Sequence, residues 1–513
     1  MQQKVWRGLA LALTLAVTAT ACTAAGSGDG AASGSAGPPQ RGGTLHVTRS
    51  ESFDGWDQDK ASAYASYQTL DAVLEPLVRS AANGKELEPG IATSWTYDPT
   101  KLAWTFVLRD GVTFSDGQPL TSADVAFSEG VWASGANFGS LYSGIKKVET
   151  PDAKTVVFDM ATPFTTLPIL MSWSSSGIMP KGYGGKTKKE FDTNPIGAGA
   201  FTVTSWSPGG TIVLARNPHY YLTGRPYVDQ VQIDVVADGN ERAVLFQSGQ
   251  TDISEYVSLN TAKQYGTSTV ALPASQVEHL SLNTTKAPFD NIDVRQAIAS
   301  AIDYNAIAQG PAKSYGSAPN GILPPNLGHW AAPSQQAFNL NLDKARQLIA
   351  SSGAKVDRPF EIVYDSGIGL DELIAQIVQS NLAEIGVTVK LTGLETGAFL
   401  DRAYGLSADM VLWSYGAISP DMVDPMGWIL GTSWLFTGFE TKTIGAQYAA
   451  YNAATSDQAK QKIVTQVQDD AIKNAQAIPL LDYQVLQAVN SRVQGFASAP
   501  WGLYYWDPIW IKG

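Results

Sequence analysis

Cys22 is the only cysteine in this chain of 513 residues, and this limits how the chain can be held together. A single thiol cannot form a disulfide within the chain, and it cannot supply the several thiolates of a structural zinc site. The length exceeds what one ordinary hydrophobic core accommodates, so two or three domains or lobes are expected. Hydrophobic residues make up 44% of the chain and charged residues 16%, values typical of a globular protein.

The N-terminus carries the pattern of an export signal. Lys4 and Arg7 precede an uncharged, largely apolar run at 9–21, which at 13 residues is too short to span a bilayer as a permanent helix. The small residues directly before Cys22 resemble the lipobox of bacterial lipoproteins, with Ala19 where that pattern prefers leucine. The resemblance implies cleavage before Cys22 and diacylation of this residue. An ordinary signal peptide with a chance cysteine near the cleavage point is the alternative.

The segment that follows Cys22 is rich in Gly, Ala, Ser and Pro and cannot bury enough apolar surface to fold. We therefore expect a signal peptide at 1–21 and a lipid-anchored flexible tether at 22–40. The mature protein is then expected on the outer face of the cytoplasmic membrane, held there by the lipidated Cys22.

The charge balance argues against two classes of partner. The formal net charge is -12, and it becomes -14 once Lys4 and Arg7 are removed with the signal. This acidity opposes binding to nucleic acid, and it opposes binding to anionic lipid by charge. Contact with the membrane is expected through the lipid anchor only.

The first half of the mature chain is rich in strand signals. Strands are predicted at 43–48, 155–160, 211–215 and 231–236, and Asp110-Gly111 predicts a hairpin turn inside 104–114. Thr121 followed by Asp124 has the spacing of a capping box, which predicts a helix that continues through Val125, Phe127 and Trp132.

The second half alternates between helix and strand. Helices are predicted at 293–309, 343–352 and 370–385, and strands at 360–364 and 387–391 flank the third of these helices. Such a strand–helix–strand unit implies a parallel pair with a right-handed crossover. A polar helix at 457–475 and a strand at 480–489 follow.

Several segments, in order along the chain, resemble the family 5 extracytoplasmic solute-binding proteins, which include the peptide-binding subunits of ABC importers. They are 75–78 (EPLV), 87–95 (LEPGIATSW), 104–128 (WTFVLRDGVTFSDGQPLTSADVAFS), 194–202 (NPIGAGAFT), 214–221 (LARNPHYY), 294–304 (VRQAIASAIDY) and 345–353 with 384–387. The resemblance implies an α/β, bilobal periplasmic-binding-protein-like fold of type II, cluster C, with an extra subdomain and two hinge strands.

The resemblance also implies how the chain is divided. Lobe I is expected from 41–79, 190–272 and 485–513, the family-specific subdomain from 80–189, and lobe II from 273–484. A ligand would lie in the cleft between the lobes, and hinge closure would bury it. The implied role is capture of a short peptide and its delivery to the permease subunits of an ABC importer by a monomer, with no cofactor and no chemistry on the ligand.

Family members that bind peptides carry an aspartate for the ligand ammonium in a loop of the form Trp…Asp-x-x-Asp/Glu-Pro. In this chain the loop reads Trp413, then Asp421, Asp424 and Pro425, with a longer spacing after the tryptophan. The resemblance implies that Asp421 binds the ammonium group and that Asp424 lies in the site. The alternative is that both acids only form a turn before the proline.

Three aromatic residues flank this loop and are candidates for lining the cleft: Trp413, Tyr415 and Trp428. Packing in the core is the competing role for each of them. Because aromatic faces also stack on sugar rings, an oligosaccharide or another small solute is the second candidate ligand.

Enzymatic and metal sites find little support. The pattern S-x-x-K occurs twice, at 143–146 and 352–355, without the S-D-N or K-T-G elements that accompany it in penicillin-binding enzymes. The four histidines are scattered, so no metal site is predicted. An exported glycan hydrolase and a surface adhesion or signalling module remain as alternatives from other classes.

Overall fold

The computed structural model describes residues 37–61, 64–136, 138–335, 338–429, 436–439 and 442–513. Residues 39–513 form one compact unit. The predicted signal peptide, Cys22 and all but the last residues of the predicted tether lie outside the described residues. None of the helices in the described ranges is both long enough and apolar enough to cross a membrane.

The first part of the unit contains a four-stranded antiparallel sheet in the order β4-β5-β7-β6. The elements of this part are β1 (Thr44–Arg49), α1 (Tyr64–Val73), β2 (Val78–Ser80), β3 (Leu87–Pro89), β4 (Ala92–Asp98), β5 (Ala103–Leu108), α2 (Ser122–Ala133), β6 (Ile145–Asp152), β7 (Thr155–Met160), α3 (Leu167–Leu170) and α4 (Lys188–Phe191).

The remaining elements supply most of two larger sheets. They are β8 (Phe201–Ser205), β9 (Ile212–Arg216), β10 (Gln230–Val235), α5 (Gly239–Gln247), β11 (Ile253–Ser254), β12 (Thr269–Ala271), β13 (Gln276–Leu282), α6 (Ile292–Ala301), α7 (Tyr304–Gln309), β14 (Gly316–Ser317), α8 (Leu342–Ser352), β15 (Phe360–Asp365), α9 (Gly369–Ala383), β16 (Val389–Leu394), α10 (Thr396–Tyr404), β17 (Met410–Gly416), α11 (Val423–Ile429), α12 (Lys442–Ala453), α13 (Asp457–Asn474), β18 (Ala477–Tyr483), β19 (Leu486–Val489), β20 (Val493–Gln494) and β21 (Trp510–Ile511).

The two larger sheets differ in the part of the chain that builds them. The seven-stranded sheet has the order β12-β19-β11-β1-β10-β9-β8, and its core is continuous with that of the four-stranded sheet. The six-stranded sheet has the order β14-β18-β13-β17-β15-β16, and its strands all lie between residues 276 and 483. Buried apolar side chains from β13, α6, α7 and α9 form the core on one of its faces.

The chain passes between the two larger sheets at 272–275, after β12, and at 484–485, after β18. These crossing segments run side by side. The Leu272 backbone N–H donates to the Val485 carbonyl oxygen at 2.9 Å, and Gln276 is paired with Tyr483 at the start of β13. The two larger sheets are therefore joined by two adjacent covalent connections.

The predicted strand–helix–strand unit is confirmed, because β15, α9 and β16 follow one another and β15 pairs with β16 in parallel. The predicted helix at 293–309 is divided into α6 and α7, with extended backbone at Ile302. The predicted strand at 480–489 is also divided, since β18 and β19 belong to different sheets. Leu373, which the helical pattern places on the apolar stripe of α9, is instead exposed.

The predicted hairpin at Asp110-Gly111 is wrong. The partners of β5 are β4 and β7, and the residues after the turn contribute only a single bridge between Thr113 and Pro119. Gly111 does adopt a positive φ of 71°, so the turn exists. The edges of β5 are already occupied by strands from elsewhere in the chain, which leaves no place for a second hairpin strand.

The capping box is confirmed. The Thr121 backbone N–H donates to Oδ2 of Asp124 at 2.7 Å, and α2 begins at the next residue, Ser122. Val125 and Trp132 are buried on the inner face of this helix, as the spacing of the apolar residues predicts.

Candidate functional site

A cavity lies where the region around α1 meets the loop after β17. Its volume is about 30 Å³, room for roughly one or two water molecules and well below the roughly 300–1,000 Å³ that is common for small-molecule sites. One lining residue, Ile418, follows β17 of the six-stranded sheet. The other lining residues are Asp71, Ser80, Ala82, Ser172, Ser174, Ala497, Ala499, Trp501, Leu503, Tyr504 and Tyr505.

Asp71, near the C-terminal end of α1, is the acidic residue of the cavity lining. Its Oδ1 atom is inaccessible to solvent and has no hydrogen-bond partner among the described residues. Burial raises the pKa of this carboxyl to about 8, although a hydrogen bond with Ser174 acts in the opposite direction. No described lysine, arginine or histidine lies within ion-pair distance of it.

The nearest cation, Arg79, is already neutralised by other acids. Its Nη2 lies 2.6 Å from Oδ1 of Asp507 and its Nε lies 3.3 Å from Oε1 of Glu75. The guanidinium stacks on the ring of Tyr505, 3.6 Å from the ring centroid. Glu75 also accepts from the Tyr221 hydroxyl at 2.8 Å, and burial raises its pKa to about 6. Asp71 is therefore left without a cation of its own.

The aromatic wall of the cavity is firmly anchored. The Tyr504 hydroxyl donates to Oε1 of the buried Glu255 at 2.6 Å, and the Tyr504 backbone N–H donates to Oε1 of Gln68 at 3.0 Å. The hydroxyl oxygen of Tyr505 accepts from the Ser80 backbone N–H at 3.0 Å. Trp501 is almost completely buried behind them.

The same wall is bonded to both crossings between the large sheets. The Ser275 hydroxyl, in the first crossing, donates to the Pro500 carbonyl oxygen at 2.8 Å. The Gln487 side chain, just after the second crossing, donates to the Gly502 carbonyl oxygen at 2.6 Å. The loop that carries Trp501, Tyr504 and Tyr505 is therefore hydrogen-bonded to both crossings.

Of the residues predicted from the sequence, Trp413 lies inside the six-stranded sheet. It stacks on His279 with ring centroids 5.0 Å apart, and its indole N–H donates to the Ser281 hydroxyl at 2.7 Å. Tyr415, two residues further along β17, donates its hydroxyl proton to Oδ1 of Asp424 at 2.8 Å. Trp428 belongs to α11, and its side chain lies outside what the structure describes.

Asp424 is fully buried and organises the loop after β17. Besides Tyr415, it accepts from the Ile418 backbone N–H at Oδ2, at 2.8 Å. Burial raises its pKa to about 7 against the opposing effect of these hydrogen bonds. Asp424 thus holds Ile418 in position, and Ile418 is the residue of this loop that reaches the cavity.

Asp421 is buried and accepts hydrogen bonds from neighbouring residues of the protein. The Tyr451 hydroxyl and the Val423 backbone N–H donate to Oδ1 at 2.6 and 2.9 Å. Nδ1 of His329 lies 2.5 Å from Oδ2, and Nε2 of the same ring lies 3.1 Å from Asp457. Burial lowers the pKa of His329, but the hydrogen bond and the charge of Asp421 outweigh it and raise the pKa overall.

A second contact joins the four-stranded-sheet region to the helices around the six-stranded sheet. The Thr165 backbone N–H donates to the Asn452 carbonyl oxygen at 2.6 Å, and the Thr166 hydroxyl donates to Oδ1 of Asn452 at 2.5 Å. Thr165 and Thr166 directly precede α3, which lies on the same side as cavity residues Ser172 and Ser174.

The sequence reasoning missed Asp71 and the aromatic wall. The signals available were a lone acid in the otherwise apolar end of α1 and the run WGLYY at 501–505. Neither signal shows which partners the tertiary structure supplies. In the described ranges, no three histidine, aspartate or glutamate side chains are arranged to hold a metal ion.

Comparison with known proteins gives a consistent result. Residues 86–436 match the family model described as bacterial extracellular solute-binding proteins, family 5 Middle. The chain is 27% identical over 470 residues to the probable D,D-dipeptide-binding periplasmic protein DdpA of Escherichia coli (strain K12), with 86% of this chain and 88% of that protein covered.

Two solved structures share the fold. The Helicobacter pylori periplasmic binding protein DppA, in complex with the peptide STSA, superimposes with a TM-score of 0.81 at 22% identity, covering 92% of this chain and 99% of that one. AgaA of A. tumefaciens R10, in complex with agropinic acid, superimposes with a TM-score of 0.80 at 26% identity, with the same coverage. The predicted α/β, bilobal binding-protein fold is confirmed by these similarities.

Proposed function

The chain belongs to family 5 of the bacterial extracellular solute-binding proteins, and we propose that it captures short peptides as the substrate-binding component of an ABC importer. The observation that carries this proposal is the match of residues 86–436 to the family model, together with the similarity to DdpA over 86% of this chain. DdpA and the Helicobacter pylori DppA, which are named for dipeptides or hold a peptide, support peptides as the ligand class.

We assign the lobes as predicted, with lobe I at 41–79, 190–272 and 485–513, the subdomain at 80–189 and lobe II at 273–484. In support, the seven-stranded, four-stranded and six-stranded sheets draw their strands from these three groups of segments. The crossings at 272–275 and 484–485 would serve as the hinge strands. Closure would bring Ile418 toward Asp71, and the bonds from Asn452 to Thr165 and Thr166 would hold the closed form.

The predicted loop residues then have supporting roles. Asp424 and Tyr415 would position Ile418, since Asp424 is hydrogen-bonded to both. Asp421 stays a candidate for the ammonium ligand, although its described hydrogen bonds are all internal. No step of capture and release requires chemistry on the ligand, so we propose a binding protein and not an enzyme.

Export and anchoring remain part of the proposal. Cleavage before Cys22 and diacylation of that residue would tether a monomer to the outer face of the cytoplasmic membrane, near its permease subunits. Mass spectrometry of the mature N-terminus of the wild-type protein and of Cys22→Ala tests this. An unmodified Cys22, or cleavage at another position, would contradict the anchor.

A non-peptide solute is the second candidate ligand. The AgaA structure holds agropinic acid, and Tyr504 and Tyr505 line the cavity with aromatic rings of the kind that stack on sugar rings. An exported glycan hydrolase is a remote alternative, which measurable turnover of a glycan would favour.

Thermal unfolding of the protein from Thr23 onward separates these candidates. A ligand at 100 times its dissociation constant adds about 2.7 kcal/mol to the free energy of unfolding, which is a readily measured increase in melting temperature. We expect an increase with a library of free di-, tri- and tetrapeptides. An increase in melting temperature with oligosaccharides alone would be consistent with the transport role and would contradict peptides as the ligand.

A further inference from the structure

We propose that Glu278 and Asp371 form a proton-sensing pair beneath the contact between the two lobes, so that closing takes up protons and a rising pH favours the open form. This inference rests on the proposed function and on the lobe assignment given with it. It adds to them a means by which the pH outside the cell would regulate capture and release of the ligand.

Both acids lie at the end of lobe II that adjoins the crossings. Glu278 is the third residue of β13, which directly follows the first crossing, and its neighbours across the sheet are Ser414 and Leu481. Asp371 lies in the first turn of α9, the helix that packs on the buried side chains of β13. Both side chains are buried. The pair is therefore enclosed by lobe II within a few residues of the proposed hinge.

The pair has no counter-charge. All four carboxyl oxygens of Glu278 and Asp371 lack a hydrogen-bond partner among the described residues, and no described lysine, arginine or histidine lies within ion-pair distance of them. Burial and then the charge of Glu278 raise the pKa of Asp371, so the two acids act on one another. Two buried carboxyls without a cation cannot both ionise at low cost. In the described form they are therefore held protonated at neutral pH.

The other titratable groups beside the pair add no positive charge. They are Tyr483 of β18, Tyr364 and Asp365 at the end of β15, and Glu372 next to Asp371 in α9. The Asp365 backbone N–H lowers the pKa of Asp371, but burial and the charge of Glu278 outweigh it. Ionisation of the pair must therefore be balanced by water and not by a neighbouring side chain.

A loop of lobe I covers this end of lobe II. Leu259 packs against two hydrophobic clusters at once, the one around α5 in lobe I and the core of the six-stranded sheet. Nδ2 of Asn260 lies 3.6 Å from the position that a Cβ would take on Gly369, the first residue of α9. This contact borders the helical turn that carries Asp371. Water would reach the pair most directly where Leu259 and Asn260 lift away from α9.

Proton linkage gives the direction of the coupling. In the closed form burial holds the proton on Glu278 up to a pKa of about 8, whereas a hydrated glutamate has a pKa near 4.5. Between these values the closed form binds more protons than the open form. Its advantage over the open form is full below about pH 4.5 and is lost as the pH rises through about 8. Ligand binding, which favours the closed form, takes up protons in this range.

The test uses the protein from Thr23 onward and compares wild type with Glu278→Gln and Asp371→Asn, which keep the shape of each side chain and remove its charge. Glu372→Gln, an exposed acid in the same turn of α9, is the matched control. Thermal shift with a library of free di-, tri- and tetrapeptides selects the peptide that stabilises wild type most. Calorimetric titration with that peptide at pH 8, in two buffers of different ionisation enthalpy, measures the protons taken up.

The α-ammonium group of the peptide also titrates near pH 8, so the readout is the difference between variants. We expect wild type and Glu372→Gln to take up about 0.5 proton more per peptide than Glu278→Gln, because Glu278 is half protonated at its pKa of about 8. From pH 6.5 to 9.5 the affinity of wild type should fall about tenfold more than that of Glu278→Gln. Asp371→Asn should reduce both quantities in the same direction.

A measurement without ligand separates this inference from the peptide assignment. The chain from Thr23 onward contains no cysteine, so Val244→Cys in α5 and Leu400→Cys in α10, both at exposed positions, can carry two spin labels. The distances between the labels, measured by electron paramagnetic resonance, give the ratio of closed to open form. This ratio should fall about tenfold from pH 6.5 to 9.5, and it should change little when Glu278→Gln is added.

Three outcomes would overturn the inference. Equal proton uptake and equal pH dependence in wild type and Glu278→Gln would leave peptide binding standing and remove the pair as its pH sensor. An equal effect of Glu372→Gln and Glu278→Gln would trace the dependence to overall charge. A ratio of closed to open form that is independent of pH would show that the pair does not act on closure. If no peptide of the library stabilises wild type, the peptide function fails, and the ratio alone decides whether the pair acts on closure.

Discussion

Nδ1 of His329 lies 2.5 Å from Oδ2 of Asp421, so the acid predicted to meet a ligand is paired with a histidine from the segment between β14 and α8. The same imidazole reaches Asp457 at the start of α13 through its other nitrogen, at 3.1 Å. His329 therefore ties the loop after β17 to the helix that packs behind it. The pairing gives Asp421 a role in stability whether or not a ligand contacts it.

This pairing predicts a pH dependence of stability. The pKa of His329 is raised in the folded protein, so its stabilising contribution is fully present below its unfolded value of about 6.5 and is lost as the pH rises through the folded value. We expect the free energy of unfolding of wild type to exceed that of His329→Gln by about 1.5–3 kcal/mol at pH 5.5 and by less at pH 8.5. Calorimetric melting of both proteins from pH 5 to 9 measures this, and a constant difference would contradict it.

Glu278 and Asp371 predict a second loss of stability as the pH rises. Glu278 in β13 is fully buried without a hydrogen-bond partner in the described residues, and burial raises its pKa to about 8. Burial also raises the pKa of Asp371, and the charge of Glu278 raises it further. A carboxyl whose folded pKa lies above its unfolded value holds its proton more tightly when folded, so stability falls as the pH rises from about 4.5 to about 8.

Replacing Glu278 by glutamine should remove much of this loss. We expect Glu278→Gln to be more stable than wild type by about 1–3 kcal/mol at pH 8, and the gain should shrink toward pH 4.5. Glu88→Gln, an exposed acid in β3, is the control and should follow wild type throughout. Urea unfolding at several pH values gives the comparison, and an equal effect of the two substitutions would refute the explanation.

Two glycines predict opposite effects of the same substitution. A Cβ at Gly197 would lie 1.8 Å from the Val73 carbonyl oxygen, whereas a Cβ at Gly130 in α2 meets nothing within 4 Å. We expect Gly197→Ala to lose about 1–3 kcal/mol of folding free energy because backbone must move. Gly130→Ala should gain about 0.5–1 kcal/mol from its helical position. Chemical denaturation measures both changes in folding free energy. An unchanged stability of Gly197→Ala would show that the backbone before β8 can shift at little cost.

The hydroxyl of Thr166 predicts an effect on affinity. It donates to Asn452 across the contact that we assign to the closed form, and Thr166 is buried. Thr166→Val removes the hydroxyl and keeps the shape, and should weaken ligand binding by about 0.5–1.5 kcal/mol, or roughly twofold to tenfold. Thr166→Ser keeps the hydroxyl and should bind as wild type. Titration calorimetry with the ligand found by thermal shift measures these affinities. Equal affinities for the two variants would show that this hydrogen bond does not stabilise the closed form.

Local patterns predicted much of the fold. The capping box at Thr121 and Asp124, the strand at 155–160 and the parallel β15–α9–β16 unit are each specified by neighbours a few residues apart. The hairpin at Asp110-Gly111 failed because the partners of β5 come from β4 and β7. The strand at 480–489 was split because its two ends join different sheets.

The sequence by itself determined the family, the order of the elements and the absence of an internal disulfide, because these depend on residue type and short-range spacing. Only the tertiary structure decided that Asp71, from α1, lies in one cavity with Ile418 and Tyr505, and that Asp421 is paired with His329. The physical reason is that a carboxyl group acts through the charges and donors around it, and folding brings those together from distant parts of the chain.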